Sequence, residues 1–287
     1  MKFGFVDEHR RLWPVRMMCA TLELSVSGYY AWRARPQSRR AVDNRALLEE
    51  IRRVHADSSG IYGSPRVHAT LRRRGRRVGR SRIERLMRQA GLRGLAALPR
   101  RVRTTDSRHT YPIAPNRLGR NFVARRPGQV WLADLTYIAT GEGWLYLAAV
   151  LDLHTRKIVG WSMRERLYTE IALEALNMAI ERQRPAPGLI HHSDRGIQYA
   201  AEAYRLALAR YGITPSMSGK GNCLDNAPME SFFHSLKTEL VMHCDYKSRD
   251  QARASLFDYM EVFYNRQRRH STINYVAPLA FEESTTA

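Results

Sequence analysis

Gly188-Leu189-Ile190-His191-His192-Ser193-Asp194-Arg195-Gly196 is a short apolar run that ends in a carboxylate and a glycine. It reads as a strand with its terminator, so Asp194 falls at a strand's carboxyl end, where loops commonly hold catalytic groups. After 35 further residues comes Glu230, at the close of Asn222-Cys223-Leu224-Asp225-Asn226-Ala227-Pro228-Met229-Glu230. Asn226 and Pro228 are helix-entry signals and set Glu230 in the first turn or two. From there Glu230, His234 and Lys237 share one helical face, while Phe233, Leu236 and Leu240 lie on another. One helix can thus offer an acid to a metal and a lysine to a phosphate. A third acid, Asp134, sits in the strand-like run 130 to 140. Three carboxylates at that spacing suggest one metal site.

Working outward, residues 130 to 138, 144 to 153 and 157 to 163 read as three strands, joined by the turn Gly141-Glu142-Gly143 and a bend at His154-Thr155. Residues 168 to 182 carry a helical pattern with Thr169 as candidate cap, 201 to 210 form another helix, and 213 to 217 a last short strand. Hairpins followed by alternating elements point to a mixed sheet with helices on its faces. In such a sheet Asp134 and Asp194 meet only if the first and fourth strands are neighbours. Residues 249 to 268 read as a terminal amphipathic helix, and 266 to 270 as a basic edge that is either DNA-facing or solvated.

Length and charge bound the rest. A chain of 287 residues can bury a real core, with a soft expectation of two domains. Its net charge is +20, and residues 1 to 130 carry all of the excess, with 30 basic and 9 acidic side chains. Such a field attracts a polyanion with strong salt dependence; anionic membranes or ribosomal RNA could also exploit it. Cys19, Cys223 and Cys244 form no CxxC pair, which fits a reducing compartment and argues against a cysteine-based zinc site. The charged start of the chain lacks the apolar stretch of a signal peptide, and no apolar run approaches the roughly 20 residues that span a bilayer. A cytoplasmic protein is expected.

The basic half reads as helices. Residues 15 to 24 suit a packed helix, and Ser25-Val26-Ser27-Gly28 a cap before Tyr29-Tyr30-Ala31-Trp32, an aromatic cluster expected in a core. Asn44 is the expected cap of a helix with Leu47, Leu48, Ile51 and Val54 inward. Ser64-Pro65 opens a second helix, and a third starts near Ser81 and stops at Gly91. Arg72, Arg73, Arg74, Arg76 and Arg77 crowd around Gly75, with Arg80 and Arg82 following. Three short helices with dense arginine read as a helix-turn-helix whose recognition helix covers 81 to 90, the alternative being a solvated basic face. Residues 93 to 128, rich in arginine and proline, read as a linker or an arm along phosphates.

Several polar residues carry two readings. His191 and His192 could be ligands, but beside a strand end they read as packing or hydrogen-bonding groups. Asp152 is either near the acids or structural at a strand terminus. Arg195 and Asn226 are candidates for local positioning, and Lys237 for phosphate contact rather than a solvated charge.

Val130-Trp131-Leu132-Ala133-Asp134-Leu135-Thr136-Tyr137-Ile138, Asp152-Leu153-His154-Thr155-Arg156-Lys157-Ile158-Val159-Gly160-Trp161, His192-Ser193-Asp194-Arg195-Gly196 and Asn226-Ala227-Pro228-Met229-Glu230-Ser231 together resemble the integrase-like transposases of bacterial insertion sequences. The similarity is to the second reading frame product of the insertion sequence three family, and Ser27-Gly28-Tyr29-Tyr30-Ala31-Trp32, Tyr264-Asn265 and Arg269-His270-Ser271 extend it over nearly the whole chain. Ile197 and Leu224 depart from the pattern, where a smaller or polar residue and an aromatic are expected.

The resemblance implies an α/β, ribonuclease H-like, mixed five-stranded sheet with flanking helices, preceded by a small all-α helix-turn-helix region. The expected parts are a helical lead-in at 1–40, a DNA-binding domain at 41–95, a basic linker at 96–128 and a catalytic core at 129–287. It implies Asp134, Asp194 and Glu230 as catalytic, metal-binding acids and Lys237 as a DNA contact; the charge excess and helix pattern add Arg72, Arg73, Arg74, Arg76, Arg77, Arg80 and Arg82 as expected DNA contacts. Two Mg²⁺ or Mn²⁺ ions about 4 Å apart would serve such chemistry, with Asp134 shared between them. The implied partners are DNA, as element ends and target, further copies of the chain, and the first reading frame product, separate or fused. A catalytically silent DNA-binding regulator and a simple nuclease of the same fold are the alternatives.

Overall fold

The computed structural model describes residues 2–35, 37–95 and 110–286; residues 96–109 of the expected linker lie outside it. Helices α1 (Lys2–His9), α2 (Val15–Thr21) and α3 (Val26–Ala34) close a small cluster of Val6, Met18, Cys19 and Tyr29. Ser25 caps α3 by accepting from the Gly28 amide. Of the aromatic cluster only Tyr29 is in that core, its hydroxyl donating to Asp7; Tyr30 and Trp32 stay exposed.

Helices α4 (Arg39–Asp57), α5 (Ser64–Arg73) and α6 (Arg80–Gln89) pack through Leu47, Ile51, Val54, Val67, Leu71, Ile83, Leu86 and Met87. The cap of α4 is Ser38, which accepts from the Ala41 amide, and not Asn44. Asn44 lies inside the helix, where its side chain instead accepts from Arg82 Nε at 2.8 Å. Gly75, at φ +83, turns the chain between α5 and α6, a conformation that costs glycine little.

The remainder is built on strands β1 (Val130–Thr140), β2 (Gly143–Asp152) and β3 (Ile158–Arg164), helix α7 (Thr169–Gln183), strand β4 (Ile190–Ser193), helices α8 (Ile197–Ala200) and α9 (Glu202–Arg210), and strand β5 (Thr214–Met217). Helices α10 (Ala227–Glu239), α11 (Arg249–Phe257) and α12 (Pro278–Thr286) follow. The sheet order is β3-β2-β1-β4-β5. Pairs β3/β2 and β2/β1 are antiparallel, β1/β4 and β4/β5 parallel. The first and fourth strands are therefore neighbours, as the two aspartates require, and the fold is the expected ribonuclease H-like one.

Alternation along β1 sends Val130, Leu132 and Ile138 to a core shared with Met229, Phe232, Phe233 and Leu236 of α10 and with Leu256 of α11. Trp131 and Ala133 point the other way, against Ile171, Ala175, Leu176 and Ala179 of α7 and Tyr204 and Leu208 of α9. Helix α7 approaches β3 so closely that a Cβ on Gly160 would lie 2.2 Å from the Ala175 carbonyl oxygen. Thr169 is the first residue of α7 rather than its cap; Tyr168 holds the cap position without a side-chain bond. The expected helix over 249 to 268 is α11 running into a π-helical segment, Asp258–Tyr264. Just beyond it Asn265 bonds both backbone groups of Ile158, at 2.9 and 3.0 Å, completing the start of β3.

Candidate active site

The parallel pairing of β1 with β4 sets Val130 beside Ile190, Trp131 beside His191 and Leu132 beside His192. Carried two residues further, the same register brings Asp134 level with Asp194, and side chains level in adjacent strands share a face. Each aspartate is braced locally: Asp134 accepts from the Leu135 amide at 2.8 Å, and Asp194 from the Gly196 amide at 2.9 Å. Glu230 arrives on α10, which covers the sheet face toward which Leu132 and Asp134 point. At the entry of α10, Asn226 Nδ2 donates to the carbonyl of Ala133 at 3.1 Å. That bond ties the start of the Glu230 helix to the residue preceding Asp134. Asn226 is thus a positioning group and not a side-chain cap.

Electrostatics registers the convergence. The Asp134 carboxyl is pushed well above the ordinary range, first by loss of hydration, then by the Asp194 charge, with Glu230 adding to it and Lys237 and the Leu135 amide opposing. Tyr199, buried beside the site, is raised by the same surroundings: burial first, then Tyr204, Asp134 and Asp194. Lys237 is half-buried, its ammonium 5.5 Å from the Tyr137 ring centre. Burial lowers its pKa, and Asp134 partly offsets the shift. Asp134 therefore senses both other acids and the lysine, although among the described residues no three acidic, histidine or cysteine groups form a preformed metal cluster.

The neighbouring polar residues support this corner. His191 bonds the Tyr204 hydroxyl at 3.0 Å, and His192 lies between Ser216 and Ser218, at 2.8 and 3.1 Å. Burial holds the two imidazoles neutral, at about 3 and about 4. Asp152 accepts from the amides of Gly128, His154 and Thr155 and from the Thr155 hydroxyl, which makes it structural. Arg195 Nε donates to the Ser218 carbonyl at 2.6 Å. Ile197 and Leu224, the two departures from the family pattern, are both exposed.

Asp225 is a residue that sequence reasoning missed. It is buried and accepts from Arg120 Nε at 2.7 Å, the Gly219 amide at 2.8 Å and Asn116 Nδ2 at 3.1 Å. Arg120 above all holds its pKa low. Asp225 fastens the arm after residue 110 beside the entry of α10. Its place one residue before Asn226 was the available signal, but the arm has no period to mark its partners.

The seven arginines expected to contact DNA divide. Arg72, Arg73, Arg74, Arg77 and Arg80 are exposed. Arg76 and Arg82 instead clamp Asp43, Arg82 at 2.7 Å, and hold α4 to the turn and to α6. Arg74 pairs with Asp57 at 3.2 Å, and Arg73 donates to the Asn274 carbonyl at 3.4 Å. A cavity of about 430 Å³ opens among His68, Arg72, Gly75, Arg76, Arg77 and Val78. The expected basic edge at 266 to 270 is neither solvated nor DNA-facing throughout, because Arg268 is buried against Glu239.

A ribonuclease H-like sheet that aligns two aspartates and brings a helical glutamate over them defines an integrase-type core. The chain matches the integrase core domain family over residues 124–223, a second integrase core domain family over 230–285, and an HTH-like domain family over 42–101. It is 47% identical to an uncharacterized 31 kDa protein of insertion element IS600 from Shigella sonnei, covering 93% of this chain and 97% of that one. It is 38% identical to the transposase InsF of insertion sequence IS3A from Escherichia coli K12, with both chains fully covered. Among solved structures, a chain of the simian T-cell lymphotropic virus intasome covers 80% of this chain and 73% of its own, at 15% identity and TM-score 0.48. The HTLV-2 integrase catalytic core domain in complex with magnesium covers 56% of this chain and 99% of its own, at 13% identity and TM-score 0.43. The chain belongs to the IS3 family of insertion-sequence transposases, DDE enzymes with an integrase core. Among the described residues no helix is long and apolar enough to cross a membrane.

Proposed function

We propose that this transposase cuts DNA at the ends of its insertion sequence and joins the freed ends to a target, with Asp134, Asp194 and Glu230 as its divalent-metal site. The observation that carries the reading is the sheet register that sets Asp134 level with Asp194 beneath the Glu230 helix, where burial and the charges of both acids raise the Asp134 carboxyl. Clustered acids that repel one another, with Lys237 partly offsetting the charge at Asp134, match the hard oxygen donors that Mg²⁺ or Mn²⁺ prefers. Asp134 would serve two ions jointly, with Asp194 and Glu230 serving one each. When bound, such ions activate the attacking oxygen and stabilise the leaving one.

The chain's own groups do the positioning. Asn226 fixes the entry of α10 against β1, so that Glu230 is presented to the aspartates. Lys237, two turns further along, is placed to hold a phosphate beside them. Water attacks in donor cleavage and a DNA 3′-hydroxyl in joining. Arg72, Arg73, Arg74, Arg77 and Arg80 of the 41–95 domain contact phosphates, while Arg76 and Arg82 shape that domain through Asp43. The lead-in at 1–40 and the linker at 96–128 flank it, and 129–287 carries the chemistry. Two ends need two active sites, hence self-association on DNA, and the first reading frame product supplies further end recognition. The expected compartment is the cytoplasm.

The test is strand transfer on labelled DNA carrying the element's own ends, with Mg²⁺, Mn²⁺ or EDTA, comparing the natural chain with Glu230→Gln in the presence of the upstream partner. The expected result is metal-dependent joining that falls on the order of 100-fold or more in the variant. Salt-sensitive binding without joining would leave a regulator, and cutting without joining a nuclease.

A further inference from the structure

The helix-turn-helix unit is seated on the catalytic core through a buried polar joint at the far end of the Glu230 helix. Glu239, the last residue of α10, has a side chain only 6% exposed. Arg268 grips it with two bonds, at 2.7 and 2.6 Å, and the Tyr259 hydroxyl donates to it at 2.7 Å. Burial would push the Glu239 carboxyl up, but Arg268, Tyr259 and Arg66 together hold it below its ordinary value. Arg66 comes from the other unit: it lies on α5, and its Nη1 reaches Glu239 at 3.3 Å while its Nε donates to the Arg269 carbonyl at 3.2 Å.

Further bonds surround that pair. The Tyr62 hydroxyl donates to the Gln267 carbonyl at 3.2 Å and accepts from the Arg269 amide at 2.8 Å. Arg269 Nε donates to Thr70 Oγ1 of α5 at 2.7 Å. Phe263 packs against both the core cluster of the sheet and that of the three helices. A purely solvated tether between two domains would need none of this, and charged groups are buried only where partners recover their lost hydration.

We propose that Arg66 and Tyr62, seated on Glu239 and the 267–269 backbone, are positioning residues that fix the spacing between the helix-turn-helix and the catalytic acids within one chain. Helix α10 is the rigid connector: at its helical rise Glu239 stands about 14 Å along the axis from Glu230. Where the protein grips DNA would thereby set where it cuts. This consequence rests on the transposase reading; the joint itself does not.

The joint is tested by substitutions on the α5 side, Tyr62→Phe with Arg66→Gln, which leave Glu239, Arg268 and Tyr259 bonded to one another. Spin labels on exposed helices, at Arg53→Cys of α4 and Ala209→Cys of α9, report the separation of the two units by pulsed dipolar spectroscopy in full-length protein carrying Cys223→Ser and Cys244→Ser. One narrow distance in the parent that broadens in the double variant is the expected result. A distribution equally narrow in both, or equally broad in both, overturns the joint. On DNA carrying the element's end, cleavage mapped to the nucleotide is expected to spread from one position to several in the double variant, with total cleavage retained. A single unmoved position, merely weaker, contradicts the spacing role. Absence of cutting by the parent chain with metal and partner supplied counts against the transposase reading, while the distance measurement still decides the joint.

Discussion

Arg72 and Arg82 carry the same charge in different settings. Arg82 shares Asp43 with Arg76 and also bonds Asn44, so Arg82→Ala removes a link between α4 and α6. A lower thermal midpoint is expected, with DNA affinity falling only as the folded fraction falls. Arg72 is exposed on α5 and lines the basic cavity. Arg72→Ala is expected to leave stability within about 0.5 kcal/mol while reducing the slope of log affinity against log salt by about 1. Thermal unfolding and binding titrations over a range of salt separate the two residues.

Three histidines with lowered pKa give a pH signature. His191, His192 and His270 are held at about 3, about 4 and about 3, in each case chiefly by burial. An unfolded histidine takes up a proton near pH 6.5, whereas these do so in the folded chain only in stronger acid. Their contribution to stability is therefore complete above that value and declines as pH falls toward 4, by up to about 1.4 kcal/mol per pH unit for each group. Denaturant midpoints between pH 7 and 5 are expected to fall less steeply in His192→Asn than in the natural chain. An unchanged slope would contradict a neutral His192.

Among elements, α7 and α10 depend on contacts made at backbone range. Gly160→Ala would drive a methyl into the Ala175 carbonyl and the Ala179 amide, so β3 and α7 must separate. A loss of about 3 kcal/mol or more is expected in chemical unfolding. Asn226→Ala removes one buried bond, about 1 kcal/mol of stability, but frees the entry of α10 from β1. Cleavage is therefore expected to fall by more than the stability loss explains, measured at a temperature where both proteins are fully folded.

The elements also show what the sequence could and could not convey. The strands around Asp134 and Asp194 were legible because apolar alternation and short apolar runs mark sheet residues directly, and the pairing of β1 with β4 followed from asking two acids to meet. The cap of α4 was not, because Asn44 has the right chemistry for a cap and spends it on Arg82, a partner 38 residues away. The change from α- to π-helix at Asp258–Tyr264 leaves no mark in the amphipathic pattern of 249 to 268; it is set by packing of Tyr259, Met260 and Tyr264 beneath α10. Arg268 read as a surface charge since nothing local reveals that Glu239 awaits it in the interior.

At the scale of the whole molecule, charge and chemistry are segregated. The positive excess lies in the first 130 residues, and the acids of the site lie beyond them. If the proposed roles hold, binding to DNA and the reaction on it are expected to be separable by mutation, exposed-arginine variants changing affinity and acid variants changing turnover. Sheet register, burial and the fields of Asp194 and Glu230 all converge on Asp134. The decisive measurement is single-turnover joining of labelled element ends in Mg²⁺ by Asp134→Asn, with its thermal midpoint in EDTA taken alongside. Joining is predicted to disappear while the midpoint stays level or rises, because a neutral amide removes repulsion from the site. Joining at the natural rate, or its loss only together with unfolding, would contradict the claim that these three carboxylates form one catalytic centre.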